Sequence, residues 1–479
     1  MGTAARVIVV ADMVAPGHYE GRSGGALLAQ ASALLALSLA PGCGQDSPAR
    51  PNVLLVVVDT LRRDHLGCYG YERPTSPTID ALAERSVRFD NAYTTAPWTS
   101  PAIASILTSL YPSAHNVVRG GAILPEKLTT LTETLSAHGY ATGGVTSNWQ
   151  TRKGSGFDQG FELYSDSQVK GTKHVSSPDV TSEALTMLDQ LMVGGHPFFL
   201  SVLYFDPHCA YMRHPEYGFA APPAGRIRGG EDMLELRSMM ATMSPLEVQC
   251  LRDLYDEEIA FTDASFGRLL EGLDARGLAE NTLILFMSDH GEEFLAHGWL
   301  GHTRNLYQDM VRVPLIVHDP RTDSRGRVEP TRVSLVSIAP TVLDLVGLDP
   351  SELGYSAPSL RPLLEGRSAG DAWPIYCEVD FIPVNAKHGN KRSRKRSILV
   401  GRHKLIRDDA TDRFELYDVE RDPLETEDLA ASSPELVREL ERALDRMSDR
   451  AARGAVATQQ PVLSEKDIEV LRGLGYADR

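Results

Sequence analysis

Asn52-Val53-Leu54-Leu55-Val56-Val57-Val58-Asp59-Thr60 decides how this chain folds. An uninterrupted apolar, β-branched run without polar alternation reads as a strand covered on both faces, as in a parallel sheet between helices. It stops at Asp59. An acid at the carboxyl end of such a strand sits where open α/β sheets bind ligands.

Downstream, the same pattern recurs. Residues 197–205 (Pro-Phe-Phe-Leu-Ser-Val-Leu-Tyr-Phe) end in Asp206-Pro207-His208, and residues 283–287 (Leu-Ile-Leu-Phe-Met) end in Ser288-Asp289-His290-Gly291. Val313–Val317 forms a fourth such run; Val87–Phe89 and Ala141–Ser147 are further strand segments. Between them lie helical stretches at 128–138 and 182–191, and a long helix from Pro245 to Gly277 whose Leu251, Leu254, Ile259, Phe266, Leu269, Leu270 and Leu273 recur at three- to four-residue spacing. Residues 209–243 read as a long loop or lid. The chain is therefore expected to be an α/β protein, its mainly parallel sheet sandwiched by helices. From about 371 the pattern changes to short strands near 374–377, 397–400, 403–406 and 413–417, then a helix at Pro434–Met447. This is a small antiparallel sheet plus helix, dividing the chain into 1–50, 51–370 and 371–479.

Ala96-Pro97-Trp98-Thr99-Ser100-Pro101 leads into a helix, with Pro101 in its first turn. Thr99 at that N-terminus is either a plain N-cap or a hydroxyl nucleophile beside a helix end that favours anions. Asp59, His208, the adjacent pair Asp289-His290 and Thr99 are expected at the C-terminal edge of one parallel sheet. Two carboxylates, one imidazole and one hydroxylate from this set would complete a four-ligand divalent site, where a metal would stabilise the Thr99 alkoxide.

The net charge of −16 argues against nucleic acid as partner. Lys387, Lys391, Arg392, Arg394, Lys395, Arg396, Arg402 and Lys404 form the one basic segment, read either as a solvated hairpin or as an anion-attracting rim. The five cysteines have neither metal-site nor disulfide spacing. Residues 26–40 form an apolar run of signal-peptide length, followed by Ala40-Pro41-Gly42-Cys43. They predict export to the periplasm or cell envelope, with Cys43 as a lipid attachment point and Met13 as an alternative start.

The stretches PNVLLVVVDTLRRDHLGCYGY, APWTSPAIASILTSLYP, LYFDPHCAY, FMSDHGEEFLAHGWLGHTRNLYQDMVRVPLIV and LSEKDIEVLRGLGY, in this order, resemble the sulfatase family of the alkaline phosphatase superfamily. The resemblance implies that Asp59, Thr99, Asp289 and His290 bind metal, that Thr99 is the nucleophile, and that His208 and His302 contact the anionic group or leaving oxygen. Asn148, His297 and Arg304 are implied on the substrate side, His297 with a structural role as the alternative. The departures are as informative. Where formylglycine-dependent sulfatases carry C/S-x-P-x-R, this chain reads Thr99-Ser100-Pro101-Ala102-Ile103, so formylglycine is expected to be absent. Thr60 replaces a second Asp, His290 an Asn or Gln, and His302 a late Lys; Ser147-Asn148-Trp149-Gln150 stands where the family has Gly-Lys-Trp-His. These changes imply one divalent metal, zinc or manganese favoured over calcium or magnesium. They also imply hydrolysis of small-molecule or glycan sulfate or phosphate esters, a phosphodiester or phosphonate being favoured. A phosphoethanolamine-type transferase and a catalytically degenerate anionic-glycan binder are the alternatives. No protein partner is implied.

Overall fold

Each apolar run became a strand because both faces of the sheet are covered. The computed structural model describes residues 50–171, 173–220, 225–323, 326–353, 357–367, 373–384, 392–459 and 462–477. The leader run and Cys43 lie outside them. In chain order the strands are β1 (Asn52–Val58), β2 (Val87–Tyr93), β3 (Ala141–Thr146), β4 (Leu163–Ser165), β5 (Phe198–Tyr204), β6 (Thr282–Ser288), β7 (Glu293–Phe294), β8 (Leu300–Gly301), β9 (Arg312–His318) and β10 (Arg327–Ser334). Eight of them form one sheet in the order β10-β2-β9-β6-β1-β5-β3-β4. The Val313–Val317 run lies in β9, which is antiparallel to both its neighbours, whereas every other pairing is parallel.

Alternate residues of β1 feed two cores. Val53, Leu55 and Val57 pack with Ile103, Ile106 and Leu107 of the Thr99–Thr108 helix and with the Ile338–Leu345 helix. Leu54, Val56 and Val58 pack under the Ser177–Leu191 and Pro245–Asp274 helices. At roughly 25 cal/mol per Å² of apolar surface removed from water, burial of this kind on both faces is what holds β1 and β6 at the centre.

The long helix opens with a Ser244/Glu247 capping box and Pro245 in its first turn. It also carries buried acids. Glu257 accepts from the backbone of His214 and Ala220, and Glu258 from that of Met212, so the segment after β5 is pinned to the helix. Within 209–243, expected as a long loop or lid, Met233–Met239 is helical, with Asp232 as its N-cap.

The second sheet is antiparallel, in the order β11 (Ile375–Phe381), β12 (Ser393–Val400), β13 (His403–Asp408) and β14 (Arg413–Asp418). One face packs on the Pro434–Ala451 helix through Leu440, Leu444 and Met447. The other presents Val379, Phe381, Leu399 and Ile406 to a cluster containing Trp98, Phe205 and Tyr476. Both sheets lie in one compact unit, Ala49–Arg479. Five described cations of the basic segment are ion-paired, Arg392 with Asp380, Arg394 and Arg396 with Asp409, Arg402 with Asp418 and Lys404 with Glu425, while Lys387 and Lys391 lie outside the described residues. Lys395 donates to Asn305. That arrangement fits the hairpin reading rather than an open anion rim.

Candidate active site

Asp59 follows β1 directly, and Asp289 with His290 follows β6; the parallel register aligning Val58 with Ser288 brings the two strand ends side by side. Ser288 ties them: its Oγ donates to the His290 carbonyl (2.7 Å) and accepts from the Leu61 backbone (2.9 Å). Gly291 is required next. A Cβ there would lie 1.8 Å from the Asp309 carbonyl oxygen.

Thr99 is the first residue of its helix, which has no side-chain cap. Its hydroxyl instead faces the strand ends, with Oγ1 3.4 Å from Asp59 Oδ2 and 3.4 Å from His290 Nε2. His290 Nδ1 is 2.9 Å from the Gly291 carbonyl and therefore carries the ring proton, leaving the Nε2 lone pair for the site. Nε2 lies 3.3 Å from Asp59 Oδ1 and 3.6 Å from Asp289 Oδ2. All three residues are buried, and one ligand atom from each lies within 4.8 Å of the others.

Asp59 Oδ1 and Asp289 Oδ2 are buried without a hydrogen-bond partner. Such oxygens are costly unless something cationic fills the gap. Burial, and then the neighbouring Asp289, pushes the Asp59 carboxyl well above the usual range. Burial raises Asp289 to about 8. Two acids, an imidazole lone pair and a hydroxyl around one gap form a donor set that suits a divalent cation.

Asn148, after β3, is turned inward. Its amide donates to Asp59 Oδ2 and to Thr99 Oγ1 (3.3 Å), and its carbonyl accepts from the Gln150 backbone (2.7 Å). It thus orients Asp59 and the Thr99 hydroxyl relative to each other. Gln150 Oε1 accepts from Ser100 Oγ (3.0 Å) and from the Gly121 backbone (3.1 Å), bracing the helix start.

His208 follows β5, stacks on Phe205 (4.4 Å between ring centres) and meets His302 edge-on (4.9 Å). Its Nδ1 lies 2.8 Å from the Cys209 carbonyl, while the buried Nε2 has no partner. Burial, then the neighbouring His302, lowers its pKa to about 3, so the ring is neutral. His302 is held between Glu292 (Nδ1, 3.0 Å) and Tyr476 (Nε2, 2.8 Å), and its ring centre is 4.7 Å from that of His290.

Of the substrate-side candidates, His297 stacks on Tyr307 (3.6 Å) and its Nε2 donates to the Leu424 carbonyl, which fits the structural alternative. Arg304 lies over the Trp299 ring (4.5 Å). Conversely, Tyr476 and Tyr211, which donates to Glu292 Oε2 (3.1 Å), join the cluster without having been singled out. Glu292 belonged to a recognised block but carried no role.

The sulfatase family model matches residues 51–348, and a model of the N-sulphoglucosamine sulphohydrolase C-terminal region matches 296–450. Human iduronate 2-sulfatase is 27% identical over 385 residues, covering 62% of this chain and 69% of the relative. The N-acetylglucosamine-6-O-sulfatase of Bacteroides thetaiotaomicron is 25% identical over 513 residues, covering 87% and 90%. A solved phosphonate monoester hydrolase of Agrobacterium radiobacter shares the fold with a TM-score of 0.68 at 22% identity, covering 87% of this chain and 99% of that one. With two strand-end acids, an imidazole and a helix-start hydroxyl gathered on this fold, and with the family model spanning the whole catalytic sheet, the chain belongs to the sulfatase family of the alkaline phosphatase superfamily.

Proposed function

We propose that the protein is a metal-dependent hydrolase of sulfate or phosphate esters, small-molecule or glycan, in which Thr99 is the nucleophile. The observation that carries this reading is the Thr99 hydroxyl at 3.4 Å from both Asp59 and His290, beside two orphaned carboxylate oxygens. Asp59, Asp289, His290 and Thr99 would hold one divalent ion, zinc or manganese favoured. Such an ion would lower the proton affinity of the Thr99 hydroxyl and offset charge on the transferring group.

The protein's own groups do the rest. Asn148 fixes Thr99 and Asp59 relative to each other. Backbone N–H groups of the helix start face the anionic group. Thr99 Oγ1 bonds to sulfur or phosphorus as the ester oxygen leaves with a proton as the alcohol. Thr99 has no second hydroxyl to expel the bound group, so water must attack at sulfur or phosphorus. The water's proton returns to the departing Thr99 oxygen, and the open Nε2 of neutral His208 suits accepting a hydrogen bond from that water.

Because the described hydrogen-bonding neighbours of the Thr99 hydroxyl are an acid, an imidazole and an amide, a monoanionic phosphodiester or phosphonate is favoured over a dianion. Sulfate esters stay within the same reading, supported by the relatives named for glycan sulfates. Export, with lipid attachment at Cys43, belongs to the proposal and rests on the apolar run at 26–40.

Metal analysis of the purified protein tests the reading. Stoichiometric zinc or manganese, lost in Asp289→Ala together with turnover, supports it. A metal-free protein that binds anionic glycans and cleaves neither ester contradicts it.

A further inference from the structure

The first turn of the Thr99–Thr108 helix is short of backbone donors for an anion. Pro101 has no N–H, and that of Ala102 is taken by the Trp98 carbonyl (3.3 Å), which leaves those of Thr99 and Ser100. A side chain stands beside this turn. Gln150 lies in the single helical turn Trp149–Thr151 after β3 and is fully buried. Its backbone N–H donates to Asn148 Oδ1 (2.7 Å), and the amide nitrogen of that asparagine is the one that donates to Thr99 Oγ1 (3.3 Å).

What the Gln150 side chain presents is fixed by its partners. Oε1 accepts from the Gly121 N–H (3.1 Å), a group that can only donate, so the amide oxygen and nitrogen cannot be exchanged. Oε1 also accepts from Ser100 Oγ (3.0 Å), which uses its second lone pair. Nε2 is two bonds away, with two protons, buried, and without a hydrogen-bond partner among the described residues. An amide buried with both protons unused is costly unless an acceptor meets it. A sulfuryl or phosphoryl group attacked by Thr99 brings such acceptors, its non-bridging oxygens, to the residue next to Ser100.

We propose that Gln150 Nε2 is the neutral donor that holds a non-bridging oxygen of the transferring group at this helix start. The proposal deepens the ester-hydrolase reading and rests on it for the place of the anion. Gln150 would thus be a substrate-binding residue as well as a brace for the helix. A neutral amide binds an oxygen without adding charge, which suits phosphodiesters, phosphonate monoesters and sulfate esters alike, since each carries one negative charge.

Inorganic phosphate and sulfate, added to the zinc-loaded protein, are the probes. Gln150→Met keeps the length of the side chain and removes the donor. Its affinity for both anions, by calorimetric titration, is expected to fall on the order of 10- to 100-fold. Zinc affinity should stay at the wild-type value, whereas mere loosening of the helix start would shift Thr99 and weaken the metal too. A second measurement needs no variant to fold: in wild type with isotope-labelled glutamine side chains, phosphate should move the Gln150 amide protons downfield and slow their exchange. Wild-type anion affinity in Gln150→Met, or a Gln150 amide signal that phosphate leaves unmoved, overturns the proposal. If the amide responds to phosphate but the wild type cleaves neither p-nitrophenyl sulfate nor bis(p-nitrophenyl) phosphate, the hydrolase reading fails alone and the donor assignment stands.

Discussion

Thr99 Oγ1 and His290 Nε2 stand 3.4 Å apart, each fully buried, one at a helix start and the other just past a strand end. Parallel register and two side-chain anchors produce this approach: Ser288 bridges the turns after β1 and β6, and Asn148 joins Asp59 to Thr99. The hydroxyl is thereby committed to the acid cluster instead of to its own helix.

Asn148→Ala should weaken zinc or manganese binding about 10- to 100-fold, because Asp59 Oδ2 and Thr99 lose the amide that orients them. Calorimetric titration of the metal-free protein measures this. Unchanged affinity would reduce Asn148 to a structural support of its own loop.

Asp289 gives the metal-free protein a pH-dependent stability. Its folded-state pKa, raised by burial to about 8, exceeds an unfolded value near about 3.9, so the folded state holds the extra proton. Its contribution is fully present below the unfolded value and is lost as pH rises through about 8. The denaturant midpoint of Asp289→Asn relative to wild type should therefore climb between pH 5 and 8 in chelator, by estimates on the order of a few tenths of a molar. Added metal should reverse the order, since it stabilises the wild type most at high pH. A flat difference would place Asp289 in a less enclosed setting.

Lys404 and Glu425 form a buried ion pair at 2.8 Å, and Glu425 also accepts from the Gln308 backbone (2.6 Å). This pair anchors the small sheet beside the segment leading into β9. Lys404→Met should cost about 3–5 kcal/mol by leaving Glu425 uncompensated. Urea unfolding checks it, with Lys404→Met/Glu425→Gln recovering much of the loss.

The strands most legible in the sequence were those buried on both faces, since β1, β5 and β6 need continuous apolar runs. β10 was invisible. Arg327-Val328-Glu329-Pro330-Thr331-Arg332 is an edge strand whose register shifts around Pro330-Thr331, and its charged, proline-containing sequence has no apolar run. The Val313–Val317 run showed burial but not direction, because hydrophobicity is blind to whether a strand runs parallel or antiparallel. In the site, Asp59, Asp289 and His290 were readable because each ends an apolar run. Tyr476 was not, because its place depends on a distant arginine, a glycine turn and a second sheet. His297 lies close in sequence to His302, yet it sits in the turn between β7 and β8 and stacks on Tyr307.

Thr99→Ala, assayed beside wild type on p-nitrophenyl sulfate and bis(p-nitrophenyl) phosphate with bound metal quantified in both, decides whether Thr99 does the chemistry. A nucleophilic Thr99 predicts a loss of at least about 1000-fold on whichever ester the wild type cleaves, with the fold intact. Turnover by Thr99→Ala at the wild-type rate would contradict it.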